Sequence, residues 1–172
     1  VNENTNTSAG HSVGTLTTTD EDSGETFTYS ILPGGDAANF SISGNQLILN
    51  DGNLDFETKP IYTVTVQVTD SGGLTYNETL TINVNDLNDA PVVADQTFAI
   101  NENSANGSSV GFVAASDEDA GDSISYVILP GPGSAAFAID SLTGEITVAD
   151  VSQLDFETTP VFTLAIEVED AS

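Results

Sequence analysis

The 172-residue chain contains the same series of short motifs twice, about 100 residues apart. A period of this length is that of a whole domain, because solenoid repeats are several times shorter. The recurring motifs are Val-Asn-Glu-Asn at 1–4 and Ile-Asn-Glu-Asn at 100–103, Asp-Glu-Asp at 20–22 and 117–119, and Leu-Asp-Phe-Glu-Thr at 54–58 and 154–158. The duplication therefore requires a fold that about 100 residues can adopt and that can follow itself in tandem.

Hydrophobic residues alternate with polar ones as they do in β-strands. The runs 62–69 and 162–168 alternate large apolar residues with polar or small ones, and 27–31, 80–84 and 124–128 do the same. A period of two gives each strand one buried face. Clusters of Gly, Asn, Asp and Pro separate the runs, as in turns. About seven such strands in each copy predict an all-β chain of two Greek-key, immunoglobulin-like sandwiches.

The linker 85–91 separates the two copies, and we assign repeat 1 to residues 1–89 and repeat 2 to residues 90–172. Copy 1 opens at its glutamate motif, without a counterpart of the segment 97–100. Copy 2 ends without a counterpart of 80–84. We therefore expect each sandwich to lack one outer strand through truncation.

The charge balance excludes two classes of partner. The chain has 27 Asp and Glu against one basic residue, Lys59, and a formal net charge of -26. Nucleic acid and anionic membrane surfaces both need cationic side chains, so neither is expected as a partner. No apolar run approaches the roughly 20 residues of a membrane span, so we expect no membrane insertion. Cysteine is absent, which excludes disulfides and thiolate zinc sites.

Acidic residues recur in pairs at positions i and i+2. In an extended segment such a pair points to the same side, where like charges are unfavourable without a cation. Calcium suits this chemistry because it takes six to eight oxygen ligands in loose geometry. The pairs are Asp20 and Asp22, Asp55 and Glu57, and Asp117 and Asp119.

These pairs do not belong to an EF-hand. That loop needs a glutamate eleven positions after its first aspartate, and the positions concerned hold Ile31 and Ile128. A calcium site must therefore gather ligands from separate segments of the chain.

Together the motifs resemble the cadherin repeat, in the form found in large bacterial surface or secreted proteins. That pattern has a Glu near the start, then Asp-x-Asp, Leu-Asp-x-Glu, an Asp closing a valine-rich strand, and an Asp-x-Asn-Asp linker that ends in Pro. Every element occurs here in order, and most occur twice. The resemblance implies cadherin-like sandwiches with about three calcium ions at the junction between them.

The resemblance also implies a ligand set for each ion. Around the two ions nearest repeat 1 it places Glu3, Asp55, Glu57 and Asp89, with Asp119 and the carbonyl of Leu87 completing the second. Around the third it places Asn88, the carbonyl of Ala90, Asp117, Asp119 and Asp170. Asp86 opens the linker motif, and Asp122 lies near the position of an asparagine that the chain lacks. The remaining motif copies are half-sites expected to bind calcium weakly or not at all: Asp20, Asp22 and Asp70, and Glu102, Asp155 and Glu157.

Three functions remain open. The first is an extracellular adhesion or spacer region, secreted or on the cell surface, that calcium rigidifies. The alternative is a calcium-dependent carbohydrate-binding module of a polysaccharide-degrading or cell-surface protein, although the chain has no Trp to form a sugar platform. The third is homophilic contact between copies. An enzyme is not expected, because the single histidine, His11, lies outside every repeated motif.

Overall fold

The structure is a computed structural model that describes residues 1–22 and 24–171. The chain divides into two compact units, residues 1–87 and 88–172. Within the described residues the regular elements are β-strands and short 3-10 turns, without an α-helix. This confirms the predicted all-β class and two tandem sandwiches. The predicted boundary after residue 89 stays a prediction.

Repeat 1 is built from two antiparallel three-stranded sheets. Their orders are β1-β4-β3 and β2-β5-β6. The strands are β1 His11–Thr15, β2 Thr28–Leu32, β3 Phe40–Ser43, β4 Gln46–Leu49, β5 Ile61–Thr69 and β6 Thr75–Asn83, with a 3-10 turn at Ala37–Asn39.

Repeat 2 has one three-stranded sheet of the same kind and two two-stranded sheets. Its sheets are β11-β12-β8, β10-β13 and β7-β9. The strands are β7 Val92–Val93, β8 Ser109–Phe112, β9 Ala115–Ser116, β10 Ser125–Ile128, β11 Phe137–Ile139, β12 Glu145–Val148 and β13 Ile166–Glu169, with 3-10 turns at Ser134–Ala136 and Val151–Gln153.

The strand predicted over 162–168 is only partly formed. In repeat 1 the corresponding β5 has nine residues and is flanked by β2 and β6. In repeat 2 β13 begins at Ile166 and pairs with β10. Sheet hydrogen bonds come from neighbouring strands, and among the described residues β13 has one neighbour where β5 has two. The length predicted from alternation alone was therefore wrong at residues 162–165.

The alternation of β5 does form the core of repeat 1. Tyr62, Val64 and Val66 are buried, and the polar residues between them are more exposed. The same buried cluster also contains Phe40, Leu47, Leu49, Leu54 and Val84. The corresponding cluster in repeat 2 includes Val113, Ala136, Phe137, Ile146, Val148 and Leu154.

The only lysine of the chain closes a polar network in repeat 1. The Lys59 Nζ atom lies 2.6 Å from Asp36 Oδ1 and 4.0 Å from Asp51 Oδ2. It also lies 4.1 Å from the centre of the Tyr62 ring, whose hydroxyl donates to Asp51 Oδ2 at 2.7 Å. The hydrogen bond from Lys59 holds the pKa of Asp36 below its ordinary value. The network ties the segment after Glu57 to the body of the repeat.

Repeat 2 replaces this network with packing. Thr159 stands at the position of Lys59 and Phe162 at that of Tyr62. Phe162 lies so close to Gly133, the counterpart of Asp36, that a Cβ atom there would approach its ring to 2.8 Å. Phe162 also meets Phe137 edge to face, with ring centres 5.3 Å apart. One repeat thus uses charge where the other uses an aromatic contact.

We expect Lys59→Met to lower the free energy of unfolding of repeat 1 by about 1 kcal/mol at neutral pH, as a partly exposed ion pair and cation–π contact would. Because the pKa of Asp36 is lowered in the folded state, the contribution is present above its ordinary value of 3.8 and disappears as the pH falls below it. Urea unfolding at pH 7 and pH 2 measures the difference. Thr159→Met is the matched control, and an equal loss in both variants would contradict the assignment.

Candidate metal centre

Glu3 is a carboxylate buried inside repeat 1, with 2% of its surface exposed. Its Oε2 atom accepts a hydrogen bond from the Phe56 amide at 2.8 Å, and its Oε1 atom accepts one from the Leu87 amide. The Glu3 amide itself donates to the Asn85 carbonyl at 3.0 Å. One residue therefore holds the start of the repeat, the Leu54–Glu57 motif and the linker in register.

The residue after this glutamate has an unusual backbone in both repeats. Asn4 and Asn103 each have φ of 58°, and they are the only non-glycine residues of the described chain in the left-handed region. Asparagine tolerates that conformation better than most residues. The Glu-Asn pair is visible in the sequence as a repeated motif, but the resemblance gives a role only to the glutamate.

The Glu3 carboxylate belongs to a group of three. Oxygen atoms of Glu3, Asp55 and Glu57 all lie within 4.8 Å of one another. Asp55 also accepts hydrogen bonds from the Thr58 amide and hydroxyl, both at 2.7 Å. These bonds hold the pKa of Asp55 below its usual value, so it remains charged.

The backbone brings these acids together in a different way from the one predicted. Residues 56–58 form a turn, closed by a hydrogen bond from the Lys59 amide to the Asp55 carbonyl at 2.9 Å. The expectation of an extended segment with Asp55 and Glu57 on one side was therefore wrong. Thr58 makes the turn by capping Asp55, and its presence in both copies of the motif was the signal that sequence reasoning missed.

The same construction recurs in repeat 2. Oxygen atoms of Glu102, Asp155 and Glu157 lie within 4.8 Å of one another. Glu102 accepts a hydrogen bond from the Phe156 amide at 3.1 Å, and Asp155 accepts one from the Thr158 hydroxyl at 2.8 Å. Here the group is exposed, and Phe156 is 62% exposed where Phe56 packs against the core. The weak binding predicted for this half-site stays a prediction.

The Asp-x-Asp motif of repeat 2 forms a turn beside the linker residues of its own unit. The Asp119 amide donates to Asp117 Oδ1 at 2.9 Å, and the Asp89 amide donates to Asp119 Oδ2 at 2.7 Å. The Asn88 amide group donates to Asp170 Oδ2 at 3.2 Å. These bonds join five predicted ligands of the unit 88–172 in two groups.

Asp117 also carries an oxygen atom that lacks a hydrogen bond. Its Oδ2 atom is buried, and it is the only such side-chain atom without a partner among the described residues. A buried carboxylate oxygen left without a donor is costly unless a cation or water satisfies it. The surrounding groups supply oxygen atoms and no cysteine or histidine, which fits calcium better than a softer metal.

The other predicted residues are distributed as follows. Asp86 lies in the unit 1–87 with Leu87, while Ala90 and Asp122 lie in the unit 88–172. The Asp122 amide donates to the Asp119 carbonyl at 3.4 Å. In the half-site of repeat 1, Asp20 Oδ1 accepts from the Asp22 amide at 3.0 Å, and Asp70 Oδ1 accepts from the Leu74 amide at 2.8 Å.

The fold and these repeated acidic turns are those of a tandem β-sandwich module. The Cadherin domain model matches residues 1–85 and 96–172, and the chain belongs to the cadherin family. This confirms the resemblance on which the ligand assignment depends. Cadherin domains are extracellular adhesion domains that bind calcium in general, and cadherins are adhesion proteins rather than enzymes.

Individual relatives agree with the family assignment. Protocadherin Fat 1 of Homo sapiens is 36% identical over 153 residues, which cover 83% of this chain and 3% of that protein. Cadherin-8 of Rattus norvegicus is 35% identical over 176 residues, which cover 92% of this chain and 22% of that protein. The chain thus spans less than a quarter of either relative.

The fold also matches a solved structure. The crystal structure of Drosophila N-cadherin EC1-4 aligns with a TM-score of 0.69 and 21% identity, over 98% of this chain and 41% of that one. The family match lends no support to the carbohydrate-binding alternative, and the bacterial setting stays a prediction. No helix in the described part of the chain is long and apolar enough to cross a membrane.

We expect Glu3→Ala to destabilise repeat 1 by about 2 kcal/mol in the absence of calcium, because the buried amides of Phe56 and Leu87 lose their acceptor. Chemical unfolding in EDTA measures this loss. Glu102→Ala is the matched control, since Glu102 is exposed and accepts one such bond. A loss for Glu102→Ala as large as that for Glu3→Ala would contradict the role given to burial.

Proposed function

We propose that the chain binds about three calcium ions at the junction of its two repeats, and that the bound ions fix one repeat to the other within an extracellular adhesion region. The observation that carries this proposal is the pair of preformed acidic groups that flank the linker in sequence. Repeat 1 supplies the group of Glu3, Asp55 and Glu57. Repeat 2 supplies the Asp117–Asp119 turn with its unsatisfied oxygen atom.

Electrostatics gives the reason for a cation. Two charges 4.8 Å apart repel by about 1 kcal/mol in water and by about 3 to 4 kcal/mol at an effective dielectric constant of 20. The one lysine of the chain is engaged with Asp36, so it does not neutralise these acids. A divalent ion removes the repulsion and also bridges ligands from different segments.

The proposed ligands follow the cadherin pattern. Two ions lie toward repeat 1 and one toward repeat 2, with the repeats divided at residues 89 and 90. The first two take Glu3, Asp55, Glu57 and Asp89, with Asp119 and the Leu87 carbonyl completing the second, and Asp86 opens the linker motif. The third takes Asn88, the Ala90 carbonyl, Asp117, Asp119 and Asp170, with Asp122 nearby.

Asp89 is the sharpest single test of this arrangement, because it is assigned to two ions. We expect Asp89→Asn, which removes charge at constant shape, to weaken calcium binding about tenfold or more in calorimetric titration. Asp95→Asn makes the same change at an exposed position outside the motifs and should leave binding unchanged. Absence of calcium binding by the unmodified chain at millimolar concentration would refute the proposal.

Calcium should also change both stability and shape. An ion present at about 100 times its dissociation constant stabilises the folded chain by about 2.7 kcal/mol, which raises the melting temperature by several degrees.

Small-angle scattering should show a narrower distribution of lengths in calcium than in EDTA. Magnesium should achieve less, because it requires near-octahedral geometry and gives up water reluctantly. Identical scattering in calcium and EDTA would exclude rigidification.

A second copy of the chain is the partner that best fits an adhesion region of this family. Cadherins related to this chain make contacts between copies. None of these relatives supports a polysaccharide ligand, and we do not propose one.

A further inference from the structure

Lys59 is held at two points, by its backbone within the acidic turn of repeat 1 and by its side chain outside that turn. Its amide donates to the Asp55 carbonyl at 2.9 Å, which closes the turn over residues 56–58. Its Nζ atom lies 2.6 Å from Asp36 Oδ1. The chain contains no second lysine and no arginine. Its single basic residue of this kind therefore stands two positions after Glu57, one of the proposed ligands.

The acid that binds this lysine is itself fixed to the sheet. Asp36 Oδ2 accepts a hydrogen bond from the Thr63 amide at 2.7 Å, and the Asp36 amide donates to the Thr63 carbonyl at 2.8 Å. Thr63 lies within β5, which is flanked by β2 and β6. Gly35 permits this close approach, because its φ is 52° and a Cβ atom there would lie 2.8 Å from the Thr63 carbonyl oxygen. The ammonium group of Lys59 is therefore bonded to a carboxylate that moves with the sheet.

A second contact of Lys59 leads to the segment that follows Glu3. The Nζ atom lies 4.0 Å from Asp51 Oδ2, and the Tyr62 hydroxyl donates to the same oxygen at 2.7 Å. The Asp51 amide donates to the hydroxyl oxygen of Thr7 at 2.8 Å, and Thr7 is fully buried. Lys59 thus connects the acidic turn to a second fixed point, which is close in sequence to the buried glutamate.

Repeat 2 shows that the turn forms without this lysine. Thr159, at the matching position, donates its amide to the Asp155 carbonyl at 2.7 Å. The position of Asp36 is taken by Gly133, which has no side chain to bind. The lysine therefore adds a restraint to a turn that already exists, and it does so in one repeat only.

We propose that Lys59 is a positioning residue for the calcium ligands of repeat 1, a role that rests on the proposed function. An ammonium group has no lone pair to offer a metal ion, so Lys59 acts through the turn. By anchoring the turn on Asp36, it holds Asp55 and Glu57 in place before calcium arrives. Less conformational freedom is then lost when the ion binds.

The charge of Lys59 alone would act in the opposite direction. A cation close to an acidic site repels calcium, so its removal would strengthen binding if charge were its only influence. Removal of a positioning contact weakens binding instead, because the ligands must then be ordered at the expense of the binding free energy. The sign of the change in affinity therefore distinguishes the two effects.

Calorimetric titration of the full chain with calcium chloride measures that sign. Lys59→Met keeps an apolar stem against Tyr62, and we expect it to weaken calcium binding about threefold to tenfold. Lys59→Arg retains a charge that can bind the same carboxylates, and it should restore the affinity. Thr159→Met makes the matched change in repeat 2 and should leave the affinity unchanged.

Asp36→Asn tests the other half of the ion pair. The asparagine side chain can still accept the hydrogen bond from the Thr63 amide, but it gives up the charge that binds Lys59. We expect a loss of calcium affinity similar to that in Lys59→Met, and no further loss when the two changes are combined. Additive losses would contradict an anchor formed by this pair. If Lys59→Met does not remain folded in EDTA, unchanged affinity in Asp36→Asn would overturn the proposal by itself.

Hydrogen exchange in EDTA provides a readout that is independent of calcium. In Asp36→Asn the Lys59 amide should exchange about threefold to tenfold faster, because the turn that it closes opens more often. The increase should exceed that at the Val64 amide in β5, which reports unfolding of the whole repeat. The Thr159 amide should be unaffected. Equal increases at Lys59 and Val64 would show a loss of overall stability and would contradict local positioning.

Failure of this inference and failure of the proposed function give different results. If the unmodified chain binds calcium and Lys59→Met binds it equally or more tightly, the positioning role is wrong and the calcium junction stands. If the unmodified chain binds no calcium at millimolar concentration, both are wrong.

Discussion

The arrangement of repeat 1 depends on the burial of one carboxylate. Glu3 accepts hydrogen bonds from the Phe56 and Leu87 amides, so three distant parts of the chain are fixed by one side chain. A buried acid normally costs free energy, and here the backbone donors offset part of that cost. Oxygen atoms of Asp55 and Glu57 lie within 4.8 Å of a Glu3 oxygen, and under the proposed function this proximity favours a bound cation.

Two signals in the sequence predict the fold, namely the duplication and the alternation of apolar residues. The duplication indicates two domains. The alternation indicates a sandwich, because each strand with one apolar face must bury that face against a second sheet. Alternation failed at residues 162–165, since strand length also depends on neighbours that a single segment does not encode. It failed again at Asp55–Glu57, where the Thr58 hydroxyl folds the motif into a turn.

The ligand set shows the same division between local and long-range information. The Glu3, Asp55 and Glu57 group came from the resemblance to a family, because residues about 50 positions apart carry no local sign of proximity. Asn4 and Thr58 were within reach of local reasoning: both recur in register in the two repeats, and each has a side chain suited to its turn. A repeated polar residue next to a repeated acid is therefore informative at the level of the amino-acid sequence alone.

The two repeats present their acidic groups on matching segments. Glu102, Asp155 and Glu157 are held in repeat 2 by the same turn that holds Glu3, Asp55 and Glu57 in repeat 1, and Glu102 accepts a hydrogen bond from the Phe156 amide as Glu3 does from the Phe56 amide. Duplicating one unit in the gene would thus copy a junction together with the domain. Under the proposed function, the length of such an array can change during evolution by whole units, without any new binding site having to arise.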